Sequence, residues 1–144
     1  MLKCNLYKYI ILDILFCLIE PIIFVNDNIN SLRSDSISIS HIDIKNNVLI
    51  INYSYLGGYE THSINLFSEI GFEETSPVQL RMWLIHYSYA DTGKEVINGK
   101  VYFDLKSVAA LYKSAYRSDN GVILFSIYDS NLSNYYLPQP RYEF

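Results

Sequence analysis

The ten residues from Val78 to Tyr87 alternate with a period of two, which a pleated strand satisfies and a helix does not. Val78, Leu80, Met82, Leu84 and His86 fall on one side, and Arg81, Trp83, Ile85 and Tyr87 on the other. A strand that apolar on both sides needs cover on both sides. Similar patterns recur along the chain. Ser36–Ser40 alternates strictly, then slips by one at His41-Ile42 before Ile42 and Ile44 resume it, which predicts a bulge or a break. Val48–Leu56, Thr61–Phe67, Val101–Phe103 and Val122–Tyr128 read as further strands. Asn46-Asn47, Gly57-Gly58, Ala90–Glu95 and Asn120-Gly121 read as turns between them, the last as a hairpin. Lys106–Ser114 alone has helical spacing, with Val108, Leu111 and Tyr112 on one stripe and Asp104 as its N-cap. The expected fold is mostly β: an antiparallel, immunoglobulin-like β-sandwich of about six or seven strands with one short helix. The tail from Asn131, rich in Tyr and Pro, is expected to run extended over the surface.

A chain of 144 residues is one domain by size and can bury a core without crosslinks. Its net charge of −4 and the lack of a basic stripe argue against nucleic-acid binding. Lys3 and Lys8 precede an apolar run from Tyr9 to Val25 broken by Asp13 and Glu20, the outline of an export signal or membrane anchor over residues 1–25. Residues 26–35, rich in Asn, Asp and Ser, read as a linker, and 36–144 as the sandwich domain. Cys4 and Cys17 both lie in the leader, so the expected domain has neither a thiol nor a disulfide. The expected location is the periplasm, cell envelope or outside, with a possible tether through residues 9–25; the cytoplasm is the alternative.

The segment Tyr53-Ser54-Tyr55-Leu56-Gly57-Gly58-Tyr59-Glu60-Thr61-His62, followed by a strand ending in His86, then Asp91, then Phe103-Asp104-Leu105 before a helix, resembles a motif of small exported bacterial proteins. Several of these are grouped near the NigD-like lipoproteins. The resemblance implies location and fold more than activity. In that pattern one cysteine stands where this chain has Tyr59 and another where it has Gly93. Both are replaced here, so the resemblance implies that Tyr59 and Gly93 sit side by side, with the Tyr ring covering the missing Cβ of Gly93. The two corners, around 57–59 and 91–93, should then touch.

His62, His86 and Asp91 are the constellation with chemical potential. Two imidazoles and a carboxylate can hold Zn²⁺ or act as an acid–base pair. They can equally cap strand rows and orient loops without chemistry. Glu73-Glu74 reads as a solvated loop, and no nucleophile elbow or phosphate loop occurs. The tyrosines, among them Tyr53, Tyr55, Tyr87, Tyr89, Tyr135, Tyr136 and Tyr142, suit a recognition surface or cross-strand packing. The expected function is a non-enzymatic binding module for an unknown protein or small molecule, without cofactor. His62, His86, Asp91, Tyr59 and Gly93 are its candidate binding residues. The alternatives are a small metal-dependent hydrolase using His62, His86 and Asp91, and a cytosolic immunity or inhibitor protein. The last predicts that Tyr9–Val25 folds into the body.

Overall fold

The computed structural model describes residues 18–26, 29–130 and 134–144. Its strands are β1 (Ile19–Glu20), β2 (Ile23–Val25), β3 (Ser38–Lys45), β4 (Val48–Gly57), β5 (Ser63–Glu69), β6 (Val78–Tyr87), β7 (Glu95–Asp104), β8 (Val122–Tyr128) and β9 (Arg141–Glu143). Among the described residues a single α-helix, α1 (Lys106–Tyr116), lies between β7 and β8. A four-stranded sheet in the order β1-β7-β4-β3 faces a five-stranded sheet in the order β2-β5-β6-β8-β9. The expected β-sandwich with one short helix is what the chain forms.

The Asn46-Asn47 turn and the slip in β3 form as the residues predict. Asn46 and Asn47 both take positive φ, at 50° and 60°, and close the β3–β4 hairpin. The slip in β3 is a shift of register between Ile39 and His41. Asp104 is not the N-cap expected of it: the cap position is Leu105, and the Asp104 carboxylate, one residue ahead, accepts the Lys106 N–H.

The inward rows make the core. Leu49 and Ile51 of β4, Leu66 of β5, Leu80, Met82 and Leu84 of β6, Phe103 of β7 and Phe125 of β8 have no solvent exposure. Trp83 and Ile85, on the opposite side of β6, are also buried, at 8% and 2% exposure. Leu32 and the chain through Asp35 line a cavity of about 390 Å³ with Ile85 and Tyr87 on that outer side.

Four expectations are corrected. The sheets are mixed rather than antiparallel, because β1–β7, β2–β5 and β6–β8 pair in parallel. Nine strands appear among the described residues instead of six or seven; edge strands of two or three residues are too short for alternation to register. Asn120-Gly121 makes no hairpin: it links α1 to β8, and Gly121 exchanges both backbone bonds with Phe144. The tail returns as β9 and buries Tyr142 to 2% exposure, its hydroxyl donating to the Asn47 side chain.

The domain boundary also moves. Residues 1–17, including Cys4 and Cys17, lie outside the described residues, but Ile19–Val25 is part of the sandwich rather than of a leader. β1 joins one sheet, β2 the other, and Ile22 between them is buried in the core at 6% exposure. Nor is the stretch before residue 36 a simple linker, since Ser34 and Asp35 bond to β6 and to Ser88. Among the described residues no helix is long and apolar enough to cross a membrane.

Ile22 gives a direct check on this boundary. Ile22→Ala should cost about 2–5 kcal/mol, as for other buried aliphatic truncations, read as a lower urea midpoint at unchanged slope. A midpoint equal to wild type would return the segment to the role of a dispensable leader.

Candidate functional site: a His–His–Asp cluster between two corners

Topology places the site. β4 and β7 are antiparallel neighbours with Gly57 opposite Glu95, and β5 and β6 are antiparallel neighbours with Ser63 opposite Tyr87. Residues 58–62 carry the chain from the end of β4 to the start of β5. Residues 88–94 carry it from the end of β6 to the start of β7. Both crossings bridge the same two sheets at the same end, so they must run side by side. The helix α1 and the Asn46-Asn47 turn occupy the opposite end, where the Leu105 N–H bonds to the Asn47 carbonyl.

Along each inward row the side chains change character towards this end. β4 runs from Leu49 and Ile51 through Tyr53 and Tyr55 to Gly57. β6 runs from Leu80, Met82 and Leu84 to His86. The inward parity of β5, with Ile64 and Leu66, extends back to His62. His86 sits opposite Ile64, so His62 lies one step beyond it, within reach of the His86 ring.

Asp91 joins the corners. Its Oδ2 accepts the backbone N–H groups of Gly58, Tyr59 and Glu60 at 3.1, 3.1 and 3.0 Å, and contacts His62 Nε2 at 2.8 Å. Its Oδ1 accepts the Gly93 N–H at 2.7 Å. The Gly93 N–H, the His62 ring and the Glu60 and Tyr59 N–H groups hold the Asp91 carboxyl well below the usual carboxylate range. The three successive N–H groups form a concave nest for the anion, and Gly58, at φ 137°, supplies backbone geometry that a side chain rarely adopts.

From Asp91 a line of contacts runs inward. His62 Nδ1 meets His86 Nε2 at 2.7 Å, and His86 Nδ1 meets the Ser36 carbonyl at 3.0 Å. The side chains of His62 and Asp91 have no solvent exposure, and His86 is 1% exposed. Burial is the main reason the His86 imidazole sits below its ordinary range. The Tyr55 ring lies over both imidazoles, with centroids at 4.3 Å from His62 and 4.6 Å from His86. Asp35 closes the inner side, accepting the Ser88 N–H and hydroxyl at 2.7 Å each. Those two bonds lower the Asp35 carboxyl, with a smaller contribution from the two histidines.

The structure thus brings His62, His86 and Asp91 together, but as a line and not a bowl. Each ring nitrogen already faces a partner, and none is aimed at a common open point. Among the described residues no group of three His, Cys, Asp or Glu is arranged to hold a metal ion. The corners around 57–59 and 91–93 do touch. The expected cover for Gly93 is overturned, however. A Cβ there would fall on the Gly57 carbonyl and the Gly57–Gly58 peptide, while Tyr59 turns outward at 79% exposure. Gly57 is tight as well, since a Cβ would come within 2.9 Å of the His62 ring. The sequence reading missed Ser34, Asp35 and Ser36, and nothing local could have found them, because their partners lie some fifty residues away.

Two outcomes follow from this geometry. Gly93→Ala should lower stability by about 1–3 kcal/mol, the usual cost of overpacking, measured by urea unfolding. Because the folded Asp91 carboxyl is the stronger acid, its contribution is present above about pH 3.9 and lost as the pH falls through its lower folded value. Asp91→Asn should therefore be weaker at pH 7 and should lose less on going to pH 3 than wild type does. Equal losses would remove Asp91 from this role.

Residues 21–120 match the NigD-like C-terminal beta sandwich domain. No curated protein matches the chain. Among solved structures, a NigD-like immunity protein from Bacteroides caccae superposes with a TM-score of 0.60 at 15% identity, over 88% of this chain and 59% of that one. A protein from Parabacteroides distasonis described as toxin-related gives 0.51 at 21% identity, over 88% and 60%. A protein from Bacteroides fragilis described as a lipoprotein gives 0.51 at 8% identity, over 88% and 68%. At these identities the likeness is one of fold, and the chain spans about three fifths of the length of the first of these proteins. With its two facing sheets and the matched span over most of its length, the chain belongs to the NigD-like β-sandwich family.

Proposed function

We propose that this protein is an exported, non-enzymatic recognition module whose binding surface is the corner end of the sandwich. One observation carries the reading. The two imidazoles and the Asp91 carboxylate at that end are consumed in holding the corners together, while large side chains around them stay in solvent. Leu56, Tyr59, Tyr89 and Val96 are 58%, 79%, 65% and 65% exposed. Leu56 and Val96 are cross-strand partners on β4 and β7, so their side chains share one sheet face, and Tyr59 follows in the next turn. A fastened corner loses little conformational entropy on association, and exposed Tyr offers large contact area with few rotatable bonds. The partner favoured by such a surface is another protein. The relative named as a lipoprotein supports export. The hydrolase alternative has less support, because the histidine nitrogens and the Asp91 oxygens it needs are already engaged with one another.

A second reading, a cytosolic immunity or inhibitor protein, is favoured by one observation: Ile19–Val25 is folded into the body, as that reading requires of the segment. The neighbour named as an immunity protein points the same way. Both readings use the same surface and differ in compartment and partner.

A photo-crosslinking residue at position 59, in the full chain expressed in its own cells, separates these ideas. The expected result is a discrete adduct in the envelope fraction that falls at least tenfold when Leu56→Asp and Val96→Asp are added. An adduct confined to the soluble cytoplasm would favour the inhibitor. No adduct in either fraction, or micromolar Zn²⁺ binding that disappears in His62→Ala, would overturn the recognition reading.

A further inference from the structure

The line Asp91–His62–His86–Ser36 ends on an acceptor at each side. A carboxylate oxygen faces His62 Nε2, and a backbone carbonyl faces His86 Nδ1. Both outer nitrogens must therefore carry hydrogen. The central contact, His62 Nδ1 to His86 Nε2 at 2.7 Å, needs a third hydrogen, since two bare lone pairs repel at that distance. Two neutral imidazoles carry only two ring N–H groups. We infer that His62 and His86 hold one shared extra proton, so that the corner is fastened by a buried imidazolium bridge that raising the pH removes.

The surroundings suit one positive charge and not two. Asp91 faces the outer ring and Asp35 the inner side, while Tyr55 of β4 lays its ring over both imidazoles, a face that attracts a cation. On the side of β1 and β7, Glu20, Tyr53, Lys100 and Tyr102 line a cavity of about 370 Å³ with His62, and Lys100 is the one other basic side chain in that lining. A second proton would set two imidazolium rings end to end. The cation is best placed on His62, in contact with the carboxylate, with His86 as its neutral acceptor. Such a pair titrates as a unit.

Removing the proton forces a choice. Either the rings separate, or His86 turns its hydrogen to Nε2 and leaves the Ser36 carbonyl without a donor. The first outcome loosens His62, just ahead of β5, from β6, and the second loosens β6 from the Ser34–Ser36 segment, whose Asp35 N–H bonds to the His86 carbonyl. The bridge proton is bound in the folded chain by partners that the unfolded chain lacks. Its contribution is complete below the ordinary imidazole value of about 6.5 and is lost as the pH rises through the pair's own transition. This inference rests on the ring geometry alone and stands whether or not the corner binds a partner.

Long-range proton–nitrogen NMR of the uniformly labelled full chain tests it. At pH 6 the pair should show three protonated ring nitrogens, two on His62 and Nδ1 on His86. On titration upward one proton should leave, with both rings reporting the same midpoint, above the ordinary imidazole value of about 6.5. Exchange of the Asp35 amide, corrected for intrinsic pH dependence, should accelerate at least tenfold across that midpoint. Two protonated nitrogens at pH 6, separate midpoints for the two rings, or an Asp35 amide indifferent to the transition would each overturn the inference.

Discussion

The Asp91 carboxylate is the interaction on which this end of the molecule depends. Five N–H donors converge on its two oxygens, from Gly58, Tyr59, Glu60, Gly93 and the His62 ring. Only an ionised carboxylate offers enough acceptor sites in so small a volume. An amide in its place would turn an NH₂ group towards some of those donors and leave them unpaired. The strength of the site therefore comes from charge meeting oriented backbone dipoles, and its side chains are shielded from water that would compete.

That convergence is possible because of the order of strands. β4 next to β7 and β5 next to β6 set two sheet-to-sheet crossings in parallel, and each supplies what the other lacks. One crossing presents a row of backbone donors; the other presents the acceptor. Close approach needs both to be thin: a Cβ on Gly93 would strike the Gly57 carbonyl, and one on Gly57 would strike the His62 ring and Asp91. In the motif that this chain resembles, cysteines stand where Tyr59 and Gly93 are found. Here the joining of the corners is polar, and the Tyr59 ring is left free for solvent or for a partner.

The same design separates buried polar side chains from exposed apolar ones. His62, His86 and Asp91 face inward and satisfy one another, and Asp35 is held by Ser88, so their chemistry is spent on structure. Leu56, Tyr59, Tyr89 and Val96 contribute little to the core and remain exposed. A corner built this way presents a defined apolar surface without the collapse that a loop of similar composition would undergo on its own.

Much of the fold could be read directly from the residues. The period-two rows of β4, β5, β6 and β8, the Asn46-Asn47 turn, the slip in β3 and the helical stripe after Phe103 are local signals, and local sterics decide them. The same rows aimed His62 and His86 inward, and turn composition placed Asp91 at a corner. Pairing was another matter. Parallel partners, the two short strands at Ile19–Val25, the return of Tyr142 and the bonds from Ser34–Ser36 to β6 all join residues far apart in the chain. No periodicity within a strand says which neighbour it will take. The amino-acid order thus determined which side chains face the core and where the chain turns. Tertiary structure alone decided that two imidazoles and a carboxylate would line up between two acceptors, because that alignment depends on both sheets being in place at once.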